Sequence, residues 1–202
     1  MEYNNFLSVS DLSPNDIDLL IEKASVFKSG NRPKHLSGKT IALIFEKPSL
    51  RTRVSFEIAI RSQGGECIYL GREEVGLGIR EPVPDVARVL DRWVDGIVAR
   101  VFSHSDLILL ANHTNIPVIN ALSDVEHPCQ ALADLLTIRE HKGILAGLRV
   151  AFVGDGNNVA SSLALACASV GTEFRLAAPE DYQIPPNVWQ KVLDIASLSD
   201  TK

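Results

Sequence analysis

Two rhythms of apolar residues alternate along this chain. Short runs rich in β-branched residues, such as Thr40-Ile41-Ala42-Leu43-Ile44-Phe45 and Gly96-Ile97-Val98-Ala99-Arg100-Val101-Phe102, read as buried strands. Longer stretches with apolar residues three and four apart read as amphipathic helices. The first helix runs from Pro14 to about Lys28, with Ser13 as its cap and Ile17, Leu20, Ile21 and Ala24 on one face. After the strand at 40–45, a helical run from Val54 to Gln63 is closed by Gly64-Gly65. Strands are then expected at 66–70, 96–102, 116–120, 148–153 and 173–177, and helices at 85–93, 105–112, 128–141, 157–169 and 187–196. The stretch 73–84, with Gly76, Gly78, Pro82 and Pro84, is too irregular for an element.

Strict strand–helix alternation implies an α/β fold, a mainly parallel sheet with helices on both faces. Lys142-Gly143-Ile144-Leu145-Ala146-Gly147 marks a boundary. Residues 1–143 hold about four strands and a complete α/β layer. Residues 144–202 begin a second, Rossmann-like α/β unit whose two strands make a poor independent core.

Ligands of open parallel sheets sit beyond the carboxyl ends of the strands. That rule selects 45–53, 100–103, 121–130 and 154–158 as one rim. In the first segment, Phe45-Glu46-Lys47-Pro48-Ser49-Leu50-Arg51-Thr52-Arg53, Pro48 interrupts the strand and Ser49 is placed to cap the next helix. The first turn then carries Arg51, Thr52 and Arg53. Free N–H groups at a helix start attract anions, and two hydroxyls with a fork-shaped guanidinium complete a compact phosphate site. The glycines of a Walker loop are missing. Arg53 is better explained by an ion pair with Glu57 one turn on. The plainer alternative is that Ser49 only caps and the arginines are solvated. Arg100 ends an otherwise apolar strand, so its charge needs a partner. It either snorkels at the sheet end or is a second cation for the anion of Arg51.

In Leu122-Ser123-Asp124-Val125-Glu126-His127-Pro128-Cys129-Gln130, Pro128 fits the first position of a helix, flanked by a histidine donor and a glutamine acceptor. A lone histidine at a helix start is most often structural. In Gly154-Asp155-Gly156-Asn157-Asn158-Val159 the third glycine of a dinucleotide fingerprint is replaced by Val159, and Ala177-Ala178 stand where an acidic ribose ligand would follow, which disfavours a nicotinamide site. Asn157 caps the helix in the plain reading.

The net charge of −5 and the lack of a basic cluster argue against a nucleic-acid partner, while local charge still allows an anionic ligand. Cys67, Cys129 and Cys167 are odd in number and scattered, which suggests a reducing compartment, no disulfide framework and no zinc pattern. Met1-Glu2-Tyr3-Asn4-Asn5 has no basic leader region, and no run approaches a membrane span. The expectation is a soluble cytoplasmic protein.

Together these motifs resemble the aspartate/ornithine carbamoyltransferase family. The family's Ser-Thr-Arg-Thr-Arg stands here as Ser49-Leu50-Arg51-Thr52-Arg53, where Leu50 can offer only its backbone N–H. Asp95-Gly96-Ile97-Val98-Ala99-Arg100 resembles the strand whose arginine contacts both phosphate and carbamoyl oxygen. His127-Pro128-Cys129-Gln130 resembles the second signature, with Cys129 at its variable position, and the match continues to Thr137. The glycine–asparagine motif resembles the ornithine branch, in which the second asparagine, here Asn158, contacts the amino acid. The loop 74–82 resembles one that reaches into a neighbouring subunit's site, with Gly76 where many members carry a polar side chain.

The resemblance implies transfer of a carbamoyl group from carbamoyl phosphate to the side-chain amine of L-ornithine, giving L-citrulline and phosphate in arginine metabolism. It places Ser49, Leu50, Arg51, Thr52, Gly76, Arg100, His127, Pro128, Cys129 and Gln130 on carbamoyl phosphate, within a carbamoyl-phosphate domain at 1–143. Asn158 falls on ornithine, within the first part of an ornithine-binding domain at 144–202. Arg100, His127 and Thr52 would polarise the carbonyl. No metal, organic cofactor or covalent intermediate is implied, so Cys129 is not needed as a nucleophile. A homotrimer or higher multiple is implied. Family members run about half as long again, so a C-terminally truncated form is expected, lacking an Asp-x-x-x-Ser-Met-Gly loop, a His-Cys-Leu-Pro motif and a late arginine. The alternatives are a non-catalytic fragment that binds carbamoyl phosphate or phosphate, a carbamoyltransferase with another amine acceptor, and a dinucleotide-binding oxidoreductase domain.

Overall fold

The computed structural model describes residues 5–198; most of the stretch read for a leader, Met1 to Asn4, lies outside them. The chain forms two compact units. One holds residues 30–124 with the N-terminal residues up to Leu7, and the other holds residues 8–29 with the chain from Val125 onward.

In the first unit, strands β1 (Thr40–Phe45), β2 (Glu66–Gly71), β3 (Gly96–Arg100) and β4 (Val118–Leu122) form an all-parallel sheet in the order β2-β1-β3-β4. The connecting helices are α2 (Leu50–Ser62), α3 (Arg72–Val75), α4 (Val83–Trp93) and α5 (His104–Asn112). Alternate strand residues face opposite cores. Ala42, Ile44, Ile97, Ala99 and Val118 share one with Val86, Leu90, Leu107 and Leu110 of α4 and α5. Leu43, Phe45, Val98 and Ala121 share the other with Ile60 of α2. Both sheet faces are therefore helix-covered, as the near-continuous apolar strands require.

Local signals set the ends of α2. Ser49 Oγ accepts from Thr52 N–H at the start. At the end, Gly64 N–H donates to Arg61 O and Gly65 N–H to Ile60 O, with Gly64 at φ 83°, a Schellman arrangement. The stretch 73–84 is less irregular than expected. It holds the short α3, capped by Gly76 at φ 53°, and α4 begins at Val83 with Pro84 in its first turn. A four-residue helix carries no periodicity to read, and a proline in the first turn removes an N–H that has no helical partner anyway. Strand β4 starts two residues later than expected, at Val118, because Thr114, Asn115 and Ile116 are tied to the Asp91 carboxylate and Pro117 has no N–H. Strand β3 ends at Arg100, where its register against β4 shifts.

The second unit contains α1 (Pro14–Lys28), α6 (Pro128–Lys142), the parallel pair β5 (Arg149–Val153) and β6 (Glu173–Ala177), α7 (Asn158–Ser169) and α8 (Pro186–Leu198). Helix α7 is buried along its length from Ala160 to Ser169 and packs on α6, α8 and the turn Val9–Asp11. In this unit α1 packs on α6 and α6 on α7, so α6 groups with the chain that follows it. Gly143, at φ 79°, ends α6.

Candidate functional site

In the first unit, the carboxyl ends of β1 and β3 and the start of α2 bring three expected residues together. Arg100 Nη1 donates to Thr52 Oγ1 at 3.1 Å, and Ser49 Oγ donates to the same oxygen at 3.0 Å. Thr52 Oγ1 accepts twice and keeps its own proton to give. Arg100 is half-buried, its Nε has no hydrogen-bond partner among the described residues, and desolvation pulls the guanidinium below its ordinary value. The Arg51 side chain is exposed, with no hydrogen bond or ion pair among the described residues, and Leu50 beside it is 79% exposed. Arg53 instead pairs with Glu57 at 2.7 Å and lies over the Tyr69 ring at 3.7 Å. Gly76 stands apart, capping α3 through Arg72 O. A Cβ there would meet Arg80 Cβ at 2.7 Å.

Behind Arg100 lies a residue to which sequence reasoning gave no role. Glu46 is buried at the carboxyl end of β1. Its N–H donates to Arg100 O at 3.0 Å, and its carboxylate accepts from Phe102 N–H at 3.1 Å. Burial, reinforced by Asp106, pushes this carboxyl up, against the pull of the Phe102 N–H and Arg72. The strand-end rule that selected Arg100 applies equally to Glu46.

In the second unit, His127 is the N-cap of α6 and Pro128 its first residue. His127 N–H donates to Ser162 Oγ at 2.9 Å. Gln130 Nε2 donates to Asp134 Oδ1 at 2.9 Å, which leaves its carbonyl oxygen as an acceptor. Cys129 is half-buried and desolvation pushes its thiol up to about 12, so it is not a thiolate nucleophile near neutral pH. Asn157 caps α7, its Oδ1 accepting from Val159 N–H at 2.9 Å and Ala160 N–H at 3.2 Å, and Asn158 opens the helix. A Cβ on Gly156 would meet Ile184 N at 2.3 Å and Tyr182 O at 2.8 Å. The chain's own 182–184 backbone fills the space that such a glycine leaves for a pyrophosphate in a dinucleotide fold. No group of three or more potential metal ligands occurs among the described residues, and no helix there is long and apolar enough to cross a membrane.

Parallel α/β layers, an arginine–threonine pair at a capped helix start and a histidine–proline helix start define the class: the chain belongs to the aspartate/ornithine carbamoyltransferase family. The family's carbamoyl-P binding domain matches residues 4–140, and its Asp/Orn binding domain matches residues 146–202. Within that family the chain is similar to the ornithine carbamoyltransferase of Methanobrevibacter smithii, 48% identical over 181 residues, covering 89% of this chain and 60% of the relative. It is also 48% identical over 194 residues to that of Methanopyrus kandleri, covering 94% of this chain and 62% of the relative. The solved ornithine carbamoyltransferase of Pyrococcus furiosus superposes with a TM-score of 0.95 at 44% identity, over 98% of this chain and 65% of that one. The chain spans about 60% of the length of the curated relatives it matches.

Proposed function

We propose that the chain carries the carbamoyl-phosphate side of a carbamoyltransferase that makes L-citrulline and phosphate from carbamoyl phosphate and L-ornithine, in arginine metabolism. The observation that carries the reading is Arg100. Its Nη1 is held on Thr52 Oγ1 in the first turn of α2, which also carries the exposed Arg51 and the free N–H groups of the helix start, and its Nε has no partner among the described residues. A desolvated donor group of this kind is suited to an anion that gains charge as it reacts.

In this reading Ser49, Arg51, Thr52 and the backbone N–H of Leu50 hold the phosphate. Arg100, Thr52 and His127 donate to the carbamoyl oxygen, and the free carbonyl of Gln130 accepts from the carbamoyl NH2, with Pro128 and Cys129 lining the approach. The neutral δ-amine attacks the carbamoyl carbon. The new C–N bond forms, the C–O bond to phosphate breaks with its electron pair going to phosphate, and the amine's proton is left for the phosphate to take. Asn158 contacts ornithine. The step needs no cofactor. The domain assignment is carbamoyl phosphate for 1–143 and the first part of the ornithine site for 144–202. A cytoplasmic homotrimer completes the proposal. In support, Leu50, Val54 and Ile58 are spaced four apart on α2 and are 79%, 48% and 57% exposed, an apolar stripe suited to a second copy, and Gly76 would lie at a neighbour's site.

Because the chain spans about 60% of its relatives, a second reading is a carbamoyl-phosphate binder without turnover. One assay separates the two: citrulline formation at saturating carbamoyl phosphate and high ornithine, with a full-length relative as control. Residues 1–202 alone are expected to give little or none. Proximity terms worth up to roughly 7–11 kcal/mol are forfeited when the acceptor is not held in line. Turnover within about tenfold of the control would show that these residues hold the acceptor unaided. Failure to bind carbamoyl phosphate at all would sink both readings.

A further inference from the structure

We infer that Glu126 and Ser162 are positioning residues for His127, a role that rests on the proposed placing of His127 against the carbamoyl group. His127 caps α6 without a side-chain capping bond, and Pro128 follows it. Its backbone is fixed by a different contact, the donation of its N–H to Ser162 Oγ at 2.9 Å. The Ser162 proton goes to Glu126 Oε2 at 3.1 Å. Glu126 is 4% exposed, and its carboxylate also accepts from Val9 N–H at 3.0 Å and from Ser8 Oγ.

These contacts run in one direction. A carboxylate only accepts, so Ser162 must point its proton at Glu126 and its lone pair at His127. The hydroxyl cannot reverse without leaving a buried donor or acceptor unmatched, which is costly in so dry a place. The run therefore selects one Ser162 rotamer and one backbone position for His127, anchored at the turn Val9–Asp11. Ser162 also lies one helical turn beyond Asn158 on α7. The same hydroxyl ties the candidate carbamoyl donor to the helix that bears the candidate ornithine contact.

The test compares the affinity of the 202-residue chain for carbamoyl phosphate with its affinity for inorganic phosphate, by calorimetry. Contacts assigned to Ser49, Arg51 and Thr52 enter both affinities, so their ratio isolates the carbamoyl group. His127→Ala sets the scale. Ser162→Ala is expected to lower the ratio about fivefold, with phosphate affinity held within about twofold. Glu126→Ala should bring it to the His127→Ala value. Glu126→Gln should restore it, because the amide oxygen still accepts from Ser162 and Val9 and the amide NH2 can donate to Ser8 Oγ. Hydrogen exchange at the His127 amide, which needs no ligand, should quicken in Ser162→Ala while the other amides of α6 keep their protection. An unchanged ratio in Ser162→Ala, or equal losses for both ligands, overturns the inference while leaving the placing of His127 intact. An unchanged ratio in His127→Ala overturns that placing, and the inference with it.

Discussion

Each unit buries a glutamate beside a candidate site residue, and the two are treated in opposite ways. Glu46, 5% exposed, accepts the Phe102 N–H while burial pushes its carboxyl up. At the end of β3 and the start of α2, Arg100 Nε, the Thr52 proton and the exposed Arg51 guanidinium are left without a partner among the described residues. Glu126 accepts from Ser8, Val9 and Ser162, while Ser8 Oγ also accepts from Ser10 N–H and Ser162 Oγ from His127 N–H. A surface meant to take up an anion must keep donors unengaged and accept the loss of stability. A scaffold beside such a surface can satisfy its polar groups internally. Substitutions in the first cluster should therefore move binding more than stability, and those in the second the reverse.

The largest expected effect is on stability in the second unit. Glu126→Ala removes the acceptor for three buried donors and leaves a cavity, and should cost about 3–5 kcal/mol in denaturant unfolding. A loss below about 1 kcal/mol would break the comparison. Next comes binding in the first unit. Arg51→Ala should weaken carbamoyl phosphate by roughly 2–4 kcal/mol in calorimetry, with stability changed by less than about 0.5 kcal/mol because the side chain is exposed. Equal affinities would remove Arg51 from the site.

A smaller effect tests the unrelieved carboxylate directly. Glu46→Gln keeps an acceptor for the Phe102 N–H and removes a poorly paired buried charge, so it should stabilise by about 1 kcal/mol at neutral pH. The sign with pH follows from the raised carboxyl. Above its folded value both states are ionised, and the folded state carries the full cost of burial. As pH falls through the folded value toward the ordinary 4.5, the folded form takes up its proton first and the cost is recovered. The advantage of Glu46→Gln should therefore shrink over that window. A constant advantage would locate its cause elsewhere.

The smallest effect belongs to a carboxylate that is well supplied but near solvent. Asp91 is held down to about 2, chiefly by the Thr114 hydroxyl and then by Asn115. Its contribution is complete above the ordinary 3.8 and is lost as pH falls from there to about 2. Asp91→Asn should flatten the acid limb of the unfolding curve in that range and do little at pH 7.

The features legible in the sequence were those made by neighbours along the chain. The Ser49 cap, the glycine pair that closes α2, Pro128 at the head of α6 and the Arg53–Glu57 pair each join residues at most about five apart. Alternation of strand and helix gave the parallel sheet and its covered faces for the same reason. Glu46 and Glu126 lay in plain sight within the two motifs, but what distinguishes them comes from afar. Phe102 is 56 positions from Glu46, and Ser8 and Ser162 are 118 and 36 positions from Glu126. The grouping of α1 and α6 with the second unit is likewise a matter of packing, α1 on α6 and α6 on α7, which a glycine-marked linker does not report.

Gly156 bears on engineering. A Gly-x-Gly turn after a parallel strand invites conversion to a nucleotide-binding domain by restoring the third glycine at Val159 and an acidic residue at Ala177 or Ala178. Here those edits would leave the phosphate cradle blocked, because the peptide between Tyr182 and Ile184 sits where the glycine's side chain would be and accepts the Gly156 N–H at 2.7 Å. A redesign would first have to reroute the 180–185 connection, and only then alter the motif that suggested it.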